Sequence, residues 1–394
     1  MSEVSNFKVP VTAIKAVKPH PGADSLDLCT VYGFQVIAKK GVFKQGDVII
    51  YCPVDSLITS RIETKLFGPD SKVKLHNGRI RQIKLRGLAS QGMLIEPNDV
   101  MDIIADYAKA QGKKEITIQP EQDLSEILGI TKYEPGPKGL PQQPGIKRNK
   151  PRENPLFHKY GGCENIKWQP DFFEGQEVVV QEKLHGTNAR YGLLPNKPNT
   201  LWKKFLNLLG LLPKLEFTYG SNNVQLQSKS YNGSFYEENV YSKMIKQYNL
   251  KNIIPLGYTI YGEIIGPGIQ NNYHYDIPEG EHRFVIFDVK YYNGEKTIFL
   301  DPRGVEAFLC SLRGFPKKQS ERLQLVPELY YGLYDLEKIR ELTKGNSVYA
   351  PGQKVREGVV IKSRDNYDDP DHGKRARKLI SEDYLNDKTN SDEH

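Results

Sequence analysis

The sequence predicts an α+β protein in two parts, a small antiparallel barrel in the first hundred residues and a larger domain of strands and helices from about residue 156. Three observations predict it. Short apolar runs bounded by glycine and proline fill residues 1–100, a stretch crowded with proline and glycine follows at 131–155, and strand-like runs then alternate with helical spacing. A chain of 394 residues is long enough for two or three domains.

In order along the chain, Phe34 to Ala38 and Val48 to Cys52 are apolar runs closed by Gly33, Gly41, Gly46 and Pro53. Their length and spacing fit a five-strand barrel of OB type and equally another small barrel. A helix is expected next, with Val100, Ile103, Ile104, Tyr107 and Ala108 on one face, Asp99 capping its start and Gly112 its end. Residues 131–155 hold Pro135, Gly136, Pro137, Gly139, Pro141, Pro144, Gly145, Pro151 and Pro155, which argues against a regular element and for an interdomain linker. The chain is therefore divided into 1–100, 101–155 and 156–394.

In the last part, Glu177 to Lys183, Tyr258 to Ile265, Arg283 to Tyr291 and Gly358 to Lys362 read as strands. Ser234 and Glu237 form a capping box ahead of a helix with Tyr241, Met244, Ile245 and Tyr248 on one face. Val305, Phe308, Leu309 and Leu312 mark another helix. Leu193 to Phe217 reads as an insertion with an amphipathic stretch of Leu201, Trp202, Phe205, Leu208 and Leu209, either packed on its own domain or docking elsewhere.

Apolar residues make up 38% of the chain, enough for a core, and mean hydropathy is −0.56. No apolar run approaches the roughly 20 residues of a membrane span, and the N-terminus lacks the layout of a signal peptide. Cys29, Cys52, Cys163 and Cys310 stand far apart, so reduced buried thiols are expected and a structural zinc site is not. A cytoplasmic protein is expected, with the nucleus left open. Net charge is +7, concentrated in Lys72 to Arg86, Lys147 to Arg152 and Lys374 to Lys378. Such clusters suit a phosphate backbone or simply a solvated face.

Chemistry gathers at Lys183-Leu184-His185-Gly186-Thr187-Asn188. A lysine at a strand end, followed by a glycine turn, can project its amine into a pocket while the backbone approaches a nucleotide. One such string arises by chance with roughly 0.15 probability in a chain this long, so it needs company to outweigh an ordinary surface lysine. Tyr261-Gly262-Glu263 lies in an apolar strand, and Glu357 opens another that ends on Lys362. A carboxylate in such a strand is costly unless it is paired, bound to a metal, or turned to water on a sheet edge. Phe284 to Asp288 sets the aromatic Phe287, by default a core residue, beside an acid.

KLHGTN, YGE, FVIFD, EGVVIK and the closing basic stretch, in that order, resemble the motifs of covalent nucleotidyltransferases, the polynucleotide ligases and capping enzymes. EKLHGTN resembles the RNA ligases of the phage second type and the editing ligases, since DNA ligases and capping enzymes usually carry Asp where His185 stands. VTAIKAVKPHPGADSLDL, GDVIIYCPVDSLI and IKLRGLASQGMLIEP resemble the N-terminal OB-fold module of one RNA ligase family. The resemblance covers most of the chain. It implies a nucleotidyltransferase (ATP-grasp-like ligase) domain of antiparallel sheets and flanking helices behind the OB module. It also implies an ATP-dependent RNA ligase acting with Mg²⁺ or Mn²⁺ on RNA, at nicks in duplexes, as a monomer with no membrane and no obligate protein partner. The alternatives are a DNA ligase or capping enzyme, or an RNA-binding protein without activity.

The same resemblance implies residue roles. Lys183 attacks the α-phosphate of ATP, and because a free lysine titrates near about 10.4, cationic groups and metal are expected nearby to favour the neutral amine. Phe287 stacks on adenine, Asn188 meets the sugar or phosphate edge, and His185 and Gly186 complete the nucleotide contacts. Glu263 and Glu357 hold the divalent ion, while Lys362 and Lys378 neutralise the transferring phosphoryl group. Three departures stand out. His185 replaces Asp; Asn222, in Tyr219-Gly220-Ser221-Asn222-Asn223, occupies an arginine position that Arg190 is expected to cover; and the closing pair of lysines becomes Lys374-Arg375-Ala376-Arg377-Lys378.

Overall fold

The run Val48–Cys52 is a strand buried on both faces, and it divides the interior of the first unit in two. Successive strand side chains point to opposite faces. Ile50 and Cys52 therefore join Val11, Ile95, Val100 and Ile104, while Ile49 and Tyr51 join Cys29, Val31, Phe34 and Val36. The computed structural model describes residues 7–68, 75–133, 154–196, 214–222, 224–226, 239–312, 322–369 and 373–386. Val48–Cys52 pairs antiparallel with Val11–Ala13 and Met93–Ile95. A second sheet runs Ala16–Pro19, Leu26–Val31, Phe34–Lys39, and Ile83–Leu85 with Leu88–Ser90 forms a hairpin.

The helix Pro97–Ala110 closes the first cluster with Val100, Ile104 and Ala108 at i, i+4 spacing. Asp99 does not cap it. Pro97 opens the helix, where its missing N–H costs nothing, and Asp99 sits inside the first turn as a charge favourable to the helix dipole. Gln111 takes the C-cap, and Gly112 follows at a φ of +69°.

The compact units are not contiguous in the chain, where the sequence reading cuts it at 100 and 155: residues 1–141, 165–172 and 382–394 form one unit, and 142–164 with 173–381 the other. Trp168 accounts for the first excursion, its ring lying 5.1 Å from Tyr32, 5.1 Å from Phe34 and 5.6 Å from Tyr51. Of the proposed linker, 134–153 lies outside the described residues; before it, Thr131–Lys132 is a strand paired with Ser56–Leu57. The basic cluster 147–152, residues 72–74 of the first cluster and the amphipathic stretch 201–209 also lie outside the described residues.

The second unit holds two main sheets. One runs Ala376–Ile380, Gly358–Ser363, Glu177–Lys183, Glu328–Leu333, all antiparallel. The other runs Gln225–Leu226, Leu215–Ser221, Thr187–Pro195, Tyr258–Ile265, Arg283–Tyr292, Thr297–Phe299, with Gln324–Leu325 added in parallel to Arg283–Tyr292. Pro195 pairs with Leu215, so the ends of the expected insertion belong to paired strands. The helices Val240–Tyr248 and Pro302–Leu312 cover this sheet, packing Met244, Tyr248, Val305, Phe308 and Leu309 on Tyr191, Ile260, Ile264, Phe284 and Ile286. Asn239 caps the first of these helices, accepting from the Ser242 N–H at 2.9 Å, while Ser234 and Glu237 lie outside the described residues. All four cysteines are free, but Cys163 is half-buried and Cys310 exposed rather than buried. Among the described residues no helix is long and apolar enough to cross a membrane.

Candidate active site

Lys183 is the last residue of its strand, and residues 184–186 turn the chain into Thr187–Pro195 of the other sheet. Leu184 anchors the turn in the core at 3% exposure. The His185 N–H donates to the Tyr275 hydroxyl at 2.6 Å, the Gly186 N–H to Glu263 Oε1 at 3.2 Å, and Gln270 Nε2 to the Gly186 carbonyl at 2.8 Å. A Cβ at Gly186 would lie 2.3 Å from the Ile264 carbonyl oxygen, so this crossing admits only glycine.

Register places the cations. Directly opposed residues of antiparallel strands share a face, and Lys183 opposes Gly358, Gln181 opposes Val360, and Val179 opposes Lys362. On the next strand Val360 opposes Lys378 and Lys362 opposes Ala376. Lys183, Lys362 and Lys378 thus project from one face of the sheet. On the other sheet Asn188 opposes Glu263.

Lys183 Nζ lies 2.6 Å from Glu357 Oε1, with side-chain exposures of 29% and 8%. His185 Nδ1 stands 3.9 Å from Glu357 Oε2. Burial pulls the Lys183 amine down, but the charges of Glu357 and Glu263 and the bond to Glu357 outweigh it and hold the ammonium above a lysine's ordinary range. This corrects the expectation of cationic neighbours. The chain supplies acids at Nζ, because a strand-end lysine between two carboxylates can be kept partly buried only as their partner. Whatever offsets those carboxylates frees the amine.

Two buried oxygens here, Glu357 Oε2 and Asn188 Oδ1, have no hydrogen-bond partner among the described residues. Buried polar atoms are rarely left so, and the pair fits a polar or cationic ligand. No group of three or more His, Cys, Asp and Glu able to hold a metal occurs among the described residues. A divalent cation would therefore sit on Glu357 and Glu263 and complete its shell with ligand oxygens and water, an arrangement that suits Mg²⁺.

Lys362 is placed differently. Its Nζ is 2.8 Å from Asp288 Oδ1 and donates also to the Phe287 carbonyl, with the pair at 1% and 0% exposure. Asp288 Oδ2 accepts from the Tyr367 hydroxyl at 2.6 Å and from Tyr160. The expected phosphate contact thus falls on a lysine whose amine is held inside the protein by a saturated acid. The Tyr160 ring centroid lies 4.8 Å from that of half-buried Phe287.

Arg190 has no exposure: its Nε donates to the Ser221 carbonyl at 3.0 Å, its Nη1 to the Phe157 carbonyl at 2.7 Å, and it stacks on the Phe157 ring. Asn222 accepts from the Tyr160 N–H at 3.0 Å. Arg190 and Asn222 are thus both occupied in holding segment 157–160, to which the Tyr261 hydroxyl also binds through the His158 carbonyl. Lys374 Nζ sits 3.3 Å from the centroid of the Tyr160 ring and donates to the Gly161 carbonyl. Burial lowers its pKa. Tyr160, Gln270 and Tyr275 belong to no motif, and a single sequence carries no signal for them beyond their aromatic or amide character.

The family described as RNA ligase matches residues 176–380, and an OB-fold domain family matches residues 8–97. Among solved structures, Naegleria gruberi RNA ligase with PPi is 24% identical, with 96% of this chain and 97% of that chain covered at a TM-score of 0.67. A mutant of that ligase with ATP and Mn gives 24%, 96%, 98% and 0.66 in the same order. Another, with AMP and Mn, gives 24%, 96%, 97% and 0.65. At this identity the likeness is one of fold, an OB-fold module followed by a ligase domain of antiparallel sheets. No curated protein sequence matches the chain. The RNA ligase match takes in more than half of the 394 residues and runs from the strand that ends at Lys183 to the last strand of the same sheet, so the chain belongs to the RNA ligase family.

Proposed function

We propose that this RNA ligase joins RNA 3′-OH and 5′-phosphate ends with ATP, through a lysyl-adenylate on Lys183, and that it acts at nicks in duplexes. The observation that carries the reading is the Lys183–Glu357 contact at 2.6 Å beside the unpartnered Glu357 Oε2. Support for the nucleotide and the metal comes from Naegleria gruberi RNA ligase structures with ATP and Mn, and with AMP and Mn.

In the first step Lys183 Nζ forms a bond to the α-phosphorus as the bond to the bridging oxygen breaks and pyrophosphate leaves; Glu357 Oε1 is placed to take the amine proton. An RNA 5′-phosphate oxygen then displaces the lysine from the adenylate. Finally the 3′-OH attacks that phosphate and AMP leaves. A divalent cation on Glu263 and Glu357 would supply charge neutralisation at the phosphates. Phe287 is the stacking surface proposed for adenine, with Asn188, His185 and Gly186 at the sugar and phosphates. Lys378 is the proposed phosphate contact on the lysine face, and Arg190 acts by holding the 157–160 segment. The same reading takes the chain as a cytoplasmic monomer.

Intact mass after incubation with ATP and Mg²⁺ or Mn²⁺ tests it. One adenylate should be gained, lost in Lys183→Ala and in Lys183→Arg, whose guanidinium stays protonated. An adduct retained by Lys183→Ala would remove the assignment. A panel of nicked duplexes and single strands then tests the preferred substrate.

A further inference from the structure

The connection between Tyr258–Ile265 and Arg283–Tyr292 spans residues 266–282, far longer than a hairpin needs, and long ordered loops in compact domains are usually functional. It contains three non-glycine residues in the left-handed region: Asn272 at a φ of +62°, Tyr275 at +53° and Asp276 at +54°. Bulky residues reach that region only where surrounding contacts impose it, and such positions gather at working sites. Here the contacts are identifiable. Tyr273 and Tyr275 are turned inward at 3% exposure each, the intervening His274 outward. Asp276 Oδ2 accepts from the Gly352 N–H at 2.9 Å, and a Cβ at Gly352 would stand 2.0 Å from Asp276 Oδ1, so the anchor requires glycine opposite it. The Tyr273 ring meets the His185 ring edge-on at 4.9 Å.

We propose that Tyr275 is a positioning residue for Lys183: its hydroxyl oxygen takes the His185 N–H at 2.6 Å and so fixes the turn that aims the amine. The left-handed backbone at 275 and 276 is what directs that hydroxyl inward, and Asp276 on Gly352 keeps it there. His185 N–H lies two residues from the nucleophile, so a turn released at this point lets Nζ drift from its line of attack. The inference rests on the lysyl-adenylate reading above. It predicts a division between steps, because the lysine is nucleophile in the first and leaving group in the second but absent from the third.

The test uses the full chain and Tyr275→Phe, which keeps the buried ring and removes the acceptor. Formation of lysyl-AMP at saturating ATP and Mg²⁺ should slow by roughly ten- to a hundredfold, the scale of a small misplacement of a reacting group. Sealing of pre-adenylated nicked RNA should stay within about twofold. With ¹⁵N-histidine labelling, at most 8 amide signals arise, and the His185 signal should move upfield in the variant. Asp276→Ala, which frees the anchor without touching the turn, should slow the first step while sparing the third. An unchanged rate of lysyl-AMP formation in Tyr275→Phe overturns the proposal, as does equal loss of the first and third steps in both variants. If the unaltered chain forms no adduct, the lysyl-adenylate reading fails instead, and the His185 amide shift still reports whether the hydrogen bond exists.

Discussion

Two lysine–carboxylate pairs lie on the same sheet face and have opposite characters. Lys362–Asp288 is closed off at 1% and 0% exposure, with both carboxylate oxygens engaged, one by the amine and the other by Tyr160 and Tyr367. Lys183–Glu357 is shorter still, at 2.6 Å against 2.8 Å, yet the lysine side chain is 29% exposed and one carboxylate oxygen has no hydrogen-bond partner among the described residues. The ion pair itself is the same in both. Saturation separates them: an acid with all its acceptors filled braces two sheets, and one with an acceptor left over can exchange its partner for a ligand.

The comparison breaks most decisively at activity. Lys183→Ala should abolish adenylate transfer while the chain remains folded by circular dichroism, and partial activity would mean that another amine serves. Lys362→Met should instead unfold the protein more easily, by about 3–5 kcal/mol in urea, because Asp288 stays buried without its cation. Lys362→Met combined with Asp288→Asn should recover much of that loss; if it does not, the pair is more than a brace.

A third lysine sharpens the comparison. Lys290 is half-buried with its amine 4.2 Å over the Phe299 ring, and desolvation lowers its pKa to about 8, Asp368 opposing and Lys374 adding to the shift. Below pH 8 the folded and unfolded chains both carry the proton, and the folded one bears the full cost of burying it. Between there and the unfolded value near about 10.4, only the unfolded chain keeps the proton, so stability climbs with pH. Lys290→Met should therefore raise unfolding free energy by on the order of 2 kcal/mol at neutral pH, and the gain should fade toward about pH 10. A gain independent of pH would show that packing, not charge, is what the substitution changes.

The smallest effect concerns thiols. Burial pushes Cys52 up to about 12 and, with Asp27 and Asp47, Cys29 up to about 11. A thiol-specific reagent at neutral pH should label Cys163 and Cys310 readily and these two only on unfolding. Prompt labelling of Cys52 would show that the strand separating the two clusters of the first unit opens locally.

Much of the architecture is legible because it is local. Val48 to Cys52, Glu177 to Lys183 and Tyr258 to Ile265 are strands residue for residue, since an apolar run closed by glycine or proline has few other ways to bury itself. Boundaries went astray where a short polar residue had rivals. Asp99 lost the cap to the geometry Pro97 imposes.

At the site, the ordered motifs alone singled out Lys183, Glu263 and Glu357 as candidates, a lysine at a strand end and two acids in or beside apolar strands. Which partner each would take was decided by the tertiary structure. Glu357 reaches Lys183 across 174 residues, Asp288 takes Lys362 across 74, and Tyr275 finds the His185 N–H across 90. No periodicity spans such separations. A strand's own pattern says which face a side chain takes, but whether its acceptors end saturated depends on what two sheets and a long loop bring to that face, and that is settled only when they pack.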